Sequence, residues 1–297
     1  MSNIVTSQQE LHDVPQVQSL PGTRTVLKTL RQHPVVIVGI IVVIGWILLA
    51  LLAPYLAPRN PLEQDVSNRL QPPSEMAFMG TDELGRDIYS RVLYGGRITI
   101  PAALAVVIVV SIIGTITGAF AGYRGGLSDE ILMRLTELFM AFPTIILAMA
   151  VTAALGADIR NAVLALIIVR WPNYSRLTRG LVLEAKNQDY VKASRSLGAS
   201  HTHVLVRTLL PNTIAAALIY ASLDIGNAIL LFAGLSFLGL GPEPASPEWG
   251  RMVSIGIDFF DQWWMWLFPG LAIATLVMAF NFMGDGLRDI LDPHTRE

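Results

Sequence analysis

Six stretches of this 297-residue chain are apolar and long enough to cross a bilayer: residues 35–53, 98–122, 131–154, 161–178, 212–235 and 266–284. A helix rises about 1.5 Å per residue, so roughly 20 apolar residues span a hydrocarbon core of about 30 Å. Inside that core a helix satisfies its own backbone hydrogen bonds, which an isolated strand cannot do. The pattern therefore implies an all-α, polytopic membrane protein with six transmembrane helices. Composition agrees, with 53% hydrophobic and only 15% charged residues. A net charge of −2 argues against a general nucleic-acid surface, and the absence of cysteine removes disulfides, thiol nucleophiles and cysteine-ligated metals together.

The first apolar run begins after Pro34, too late and too long for a cleaved signal peptide, so it reads as a retained anchor that Pro54 stops. Residues 1–33 read as a tail, its early part disordered and its end a basic flank of Arg24, Lys28 and Arg31. Gly114, Gly118 and Gly122 recur at every fourth position, a small-xxx-small series that suits close helix packing in lipid. Pro143, inside the third run, is expected to kink it.

Orientation follows from the bases. Residues 173–211 hold Arg176, Arg179, Lys186, Lys192, Arg195 and Arg207 against Glu184 and Asp189. Residues 236–265 hold Arg251 against Glu243, Glu248, Asp258 and Asp261. The positive-inside rule puts the first stretch in the cytoplasm and the second outside. With six spans, both termini are then cytoplasmic and the proline-rich residues 54–97 external. That loop carries five arginines against six acids, but bases weigh less in long loops.

Between the fourth and fifth runs lies a polar, basic segment, residues 190–212. Ala193 and Ser194 are small, Gly198 follows four residues after Ser194, and Leu210-Pro211 comes thirteen residues beyond Gly198 at its proline. A short helix ending at glycine, then a second helix stopped by proline, describes a helical elbow at a membrane surface. Small side chains at 193, 194 and 198 would let a docking partner approach closely. Tyr190 and Leu197 could fill its pockets, and Lys192 and Arg195 could meet an acidic rim. The bland alternative is a basic helix lying on lipid headgroups.

Other polar residues carry less. The external stretch Gly80-Thr81-Asp82, Gly85-Arg86-Asp87 and Ser90-Arg91 reads as a solvated loop leading into an amphipathic helix, its charges pairing at the surface. Its glycines lack the lysine–serine/threonine pair of a phosphate loop. His201 and His203 lie two apart on a helix and face different directions, so they read as surface residues rather than metal ligands. Ser175, Ser222 and Ser236 have no histidine neighbour and no nucleophile elbow around them. Glu137 follows Arg134 by three residues, a local pair. Asp224 lies twelve residues into the fifth run with no base within a helical turn. Such a group costs several kcal/mol, of order 3, unless a wet cavity or a partner receives it. It is a candidate for facing a pathway; the alternative is hydrogen bonding to Ser222, Asn227 or a neighbouring helix. Toward the end, Gly284 and Gly286 allow a tight exit from the last span, where Asp285, Arg288 and Asp289 can pair locally.

Four separated blocks, in order, resemble the permease subunits of peptide-type ABC importers, specifically the C member of the dipeptide/oligopeptide/nickel group. They are the 80–91 stretch, the 190–212 segment, Gly239 with Pro247-Glu248-Trp249-Gly250, and Asn281 with Gly284-Asp285-Gly286-Leu287-Arg288-Asp289 and Asp292-Pro293. The second resembles the "EAA" coupling loop, with Lys192 where that loop carries an acid. The resemblance covers residue 30 to the end.

It implies a type I importer fold: residues 1–33 a cytoplasmic tail, 34–97 the first helix and external loop, 98–287 the core domain, 288–297 a cytoplasmic tail. It also implies a second permease, two cytoplasmic ATPases and an external binding protein that delivers peptides or similar small solutes. ATP and magnesium then sit on the ATPases, and this chain, which has no Walker A sequence, is no enzyme and binds no cofactor itself. The coupling contacts implied are Tyr190, Lys192, Ala193, Ser194, Arg195, Leu197, Gly198, Leu210 and Pro211, and the cell membrane is the location. Two rivals stand beside this reading. An ion-driven secondary transporter wants paired intramembrane charges or matched repeats, and only Asp224 offers itself. A membrane receptor or scaffold wants a sizeable soluble domain, and no loop is large enough.

Overall fold

The computed structural model describes residues 33–291. The tail over residues 1–32 and the last six residues of the 288–297 tail lie outside the described residues. Helices make up the architecture: α1 (Pro34–Leu56), α2 (Ile88–Arg124), α3 (Gly126–Met140), α4 (Thr144–Leu155), α5 (Ile159–Ala185), α6 (Asp189–Ser196), α7 (Leu210–Phe237), α8 (Trp249–Asp258) and α9 (Trp264–Leu291).

Of these, α1, α2, α7 and α9 are each long and apolar enough to cross a membrane, and the pair α3–α4 makes a fifth if counted as one bent span. The pair bends by 90° at the break before Pro143. Pro143 thus caps the start of α4 rather than kinking a continuous helix, because its missing N–H is no loss in a first turn. Helix α5 is 27 residues long but carries Arg160, Arg170, Arg176 and Arg179, which keep it out of the apolar set. The expected six-span count therefore rests on reading both α3–α4 and α5 as spans.

Small residues set the packing. A Cβ on Gly114 would stand 2.3 Å from the Tyr174 Cβ, and one on Gly118 would stand 2.1 Å from the Ser175 carbonyl oxygen. On Gly122 it would meet the Arg179 carbonyl at 2.9 Å. The glycine series is thus the seam along which α2 and α5 lie backbone to backbone, and Thr117 Oγ1 donates to Ser175 Oγ across it at 3.1 Å. Helix α9 packs on both α1 and α7. There, Gly284 faces Leu223 and Gly286 faces Val36. Those two glycines therefore serve packing inside α9, which continues to Leu291, and not a tight exit. Residues 288–291 of the expected C-terminal tail are likewise helix. Asp289 reaches His33 at 3.7 Å instead of pairing only locally. Helix α1 also runs two residues past Pro54, which removes one hydrogen bond without ending the helix there.

Candidate functional site

Helix α6 forms as a two-turn amphipathic helix with Val191 buried and Lys192, Ala193, Arg195 and Leu197 exposed. It ends in a Schellman motif: Gly198 N–H donates to the Arg195 carbonyl at 2.9 Å, and Ala199 N–H donates to the Ser194 carbonyl at 3.2 Å. Gly198 takes φ +83°, a left-handed conformation that costs a β-carbon-bearing residue about 1–2 kcal/mol. Nothing lies within 4 Å of the position its Cβ would take. Leu197, 89% exposed, stands beside it.

Beyond this turn the chain does not stop at Pro211. A helical turn His201–His203, a π-helical segment Val204–Leu209 and α7 follow without a break. Pro211, expected to end a helix, instead sits at the start of α7. Proline cannot donate to the carbonyl four residues back, and the wider turn before it, closed by Leu210 N–H on the Leu205 carbonyl, takes up the mismatch. The elbow is therefore at Gly198 alone, and 201–237 is one long element.

A small cluster holds the elbow to the bundle. Val191, Val204 and Leu209 are buried against Ala119 of α2 and Val182 of α5, with Tyr190 and Leu210 half-buried around them. Tyr190 thus packs inward rather than offering itself whole to a partner. Arg195 lies over the ring of Tyr123, its guanidinium carbon 5.5 Å from the ring centre, and does not project freely. Lys192 pairs with Asp189 at 2.9 Å, with both side chains largely in solvent. What remains open is the surface of Ala193, Leu197 and Gly198, with Pro211 exposed further along the chain.

The stretch 80–91 is not a solvated loop. Asp82, Arg86, Asp87 and Arg91 are all at least 95% buried. Asp82 accepts from Leu84 N–H and Arg86 N–H, and pairs with Arg86 Nε at 2.6 Å. Arg86 also reaches Glu83 at 2.7 Å, and Asp87 caps α2 by accepting from Ser90 N–H. Thr81 Oγ1 donates to the Asn68 carbonyl, and Trp264 Nε1 donates to the Thr81 carbonyl. Gly80 and Gly85 both take positive φ, and a Cβ on Gly85 would collide with the Asp65 carbonyl at 1.8 Å. From α2, Arg91 donates to the carbonyls of Pro61, Ala245 and Ser246, tying this loop to the one before α8. Surface pairing was the wrong expectation because each charge finds an internal partner.

Glu248 closes that second loop. Wholly buried, it caps α8 by accepting from Gly250 and Arg251 N–H, and it also accepts from Thr99 of α2 and Ser236 of α7. Burial pushes its carboxyl above the ordinary glutamate range, and these hydrogen bonds pull it partway back. Trp249 beside it is buried edge-on against Trp46 of α1 and donates to the Val92 carbonyl.

Asp224, 2% exposed, faces Arg170 of α5, with which it forms an ion pair, and accepts from Tyr174 Oη at 3.0 Å. In this conformation the carboxylate thus meets a neighbouring helix, not an open cavity, and Ser222 bonds to the Ile219 carbonyl instead. The sequence carries a signal for this pair without saying which arginine makes it: two bases, Arg170 and Arg176, fall in the fourth apolar run and one acid, Asp224, in the fifth. Arg134 and Glu137 pair at 3.2 Å on the surface, as their spacing suggests. His201 and His203 are both exposed.

Comparison with known proteins agrees with this architecture. Residues 114–297 match the family described as binding-protein-dependent transport system inner membrane component. Residues 23–73 match the N-terminal TM domain of oligopeptide transport permease C. A probable D,D-dipeptide transport system permease protein of Escherichia coli strain K12 is 41% identical over 280 residues, 94% of each chain. A di/tripeptide transport system permease protein of Pseudomonas aeruginosa is 41% identical, covering 86% of each. A glutathione transport system permease protein of Pectobacterium atrosepticum is 42% identical over 89% of this chain and 88% of its own. With a family match over more than half its length and relatives aligned nearly end to end, the chain belongs to the inner membrane components of binding-protein-dependent transport systems, multi-pass permease subunits of ABC importers whose ATP hydrolysis resides on separate subunits.

Proposed function

We propose that this chain forms half of the translocation pathway for peptides or similar small solutes, delivered by an external binding protein. A second, different permease supplies the other half, and two cytoplasmic ATPases bind ATP and magnesium. The observation that carries the coupling part of this reading is the open surface of Ala193, Leu197 and Gly198 at the end of α6. It presents a bulky apolar side chain beside two small residues, with the cluster beneath it anchored to α2 and α5. A docking ATPase would bury Leu197 there, and its nucleotide-driven closure would displace the elbow.

The spans are six on this reading, α3–α4 and α5 included. Residues 54–97 and 236–265 face outside, and 179–211 and both termini are cytoplasmic. Domain limits at 34–97 and 98–287 go with it. The buried 80–87 lock serves the external face as a rigid platform rather than as a ligand site. Asp224 borders the pathway in a conformation where α5 and α7 part, and in the present one Arg170 holds it.

Reconstitution tests the reading. Proteoliposomes carrying the chain with its second permease and both ATPases should import a labelled dipeptide only with ATP and the binding protein present. Import driven by an ion gradient without ATP would favour the secondary-transporter reading.

A further inference from the structure

We infer that Tyr123, at the cytoplasmic end of α2, is the positioning residue through which displacement of α6 is passed into the transmembrane bundle. The inference rests on the coupling role proposed above for α6 and goes on to name the route inward.

Three groups from the elbow and its approach converge on this one residue. The Arg195 guanidinium, in the last turn of α6, lies 5.5 Å from the ring centre. His201, which opens the long element after the elbow, meets the Tyr123 hydroxyl with Nδ1 at 2.9 Å and approaches the ring edge-on. Lys186, at the end of α5, donates Nζ to the Tyr123 carbonyl at 3.1 Å. The side chain thus bridges the two arms of the elbow, one on the ring and the other on the hydroxyl, while its backbone is held from α5. Beneath it the apolar cluster brings together residues of α2, α5, α6 and the π-helical segment, but among these contacts the polar ones at Tyr123 are directional.

What Tyr123 is attached to gives the contact reach. Helix α2 is 37 residues long and continuous, so about 55 Å of rod at 1.5 Å per residue runs from the elbow to the external loops. At its far end Arg91 grips three carbonyls of the external loops. The glycine seam fixes α2 to α5 near the Tyr123 end, from Gly114 to Gly122. A push on α6 that moves Tyr123 therefore moves α2 and α5 together. Without the side chain, the elbow can tilt on its apolar cluster while α2 stays still.

The test uses the complete reconstituted transporter and compares Tyr123→Ala and Tyr123→Phe with wild type. Three quantities are read: ATPase subunits retained on purification, ATP hydrolysis stimulated by loaded binding protein, and solute imported per ATP. For Tyr123→Ala we expect retained ATPase subunits and at least a tenfold fall in solute imported per ATP. Tyr123→Phe keeps the ring under Arg195 and loses only the hydroxyl, so a fall of about threefold is expected. A purely structural role would lower the amount of transporter recovered and leave import per ATP unchanged, which overturns the inference. Should Tyr123→Ala fail to assemble, a wild-type ratio in Tyr123→Phe overturns it equally. Failure of the underlying reading looks different: Ala193→Trp would then hydrolyse ATP and import solute as wild type does.

Discussion

Arg170 and Asp224 form an ion pair between α5 and α7 with at most 5% of either side chain exposed. Tyr174, four residues after Arg170 and so on the same face of α5, donates to the other carboxylate oxygen. Each charge answers the other's desolvation, and removing one strands its partner. For a buried pair that costs about 3–5 kcal/mol. Asp224→Asn should therefore lower the thermal stability of the purified complex as well as its transport rate. Arg170→Met combined with Asp224→Leu should regain most of the stability. Measuring both separates the brace from any part in transport: a stable double variant that does not transport makes the charges functional.

The glycine seam predicts a contrast between two similar substitutions. Gly118→Ala places a methyl group 2.1 Å from a backbone oxygen of α5, so the helices must move apart. Overpacking of this kind costs about 1–3 kcal/mol. Gly45→Ala in α1 has nothing within 4 Å and should be neutral, or stabilising by about 0.5–1 kcal/mol through the better helix propensity of alanine. Thermal unfolding in detergent, read by tryptophan fluorescence, compares the two.

Glu248 gives a pH dependence whose sign is fixed by its burial. Its carboxyl holds a proton more tightly in the folded state than in the unfolded one. Between the ordinary glutamate value and the raised one the folded chain therefore binds more protons, and stability falls as pH rises through that window. Glu248→Gln removes the titration and should flatten this slope. It also sets an amide N–H₂ against a backbone N–H of α8, so the variant should be less stable by about 1–3 kcal/mol. Melting temperatures of wild type and variant at a series of pH values report both effects.

Topology is open to labelling because the chain has no cysteine of its own. Single cysteines at Ser67 and Ser246 should react in intact cells with a membrane-impermeant maleimide, and one at Ser200 should react only after permeabilisation. Labelling of Ser200→Cys from outside would reverse the orientation.

Much of this was readable from the chain. Apolar runs gave the helical membrane class, the 114/118/122 spacing gave a packing seam, and Gly198 gave the elbow. Three features were not read, for different reasons. The lock around Asp82, Arg86 and Arg91 uses charges that look solvated one at a time, and their burial depends on loops more than 150 residues away. The continuity of residues 201–237 through Pro211 depends on a π-helical turn, for which hydrophobic periodicity carries no signal. The Arg170–Asp224 pair does not show in local spacing, because its partners lie 54 residues apart on different helices and neither has a mate within its own helix.

The coupling role proposed for α6 requires an ATPase to push on the surface of Ala193 and Gly198. Its most direct test is ATP hydrolysis stimulated by loaded binding protein in the reconstituted complex carrying Ala193→Trp or Gly198→Val, with pull-down of the ATPase subunit alongside. Tryptophan at 193 holds docking surfaces apart, and valine at 198 strains a left-handed turn by about 1–2 kcal/mol or more. Both variants should insert in the membrane yet lose stimulated hydrolysis. Wild-type stimulation in both, with the ATPase still bound, would contradict the account and move the interface to another loop.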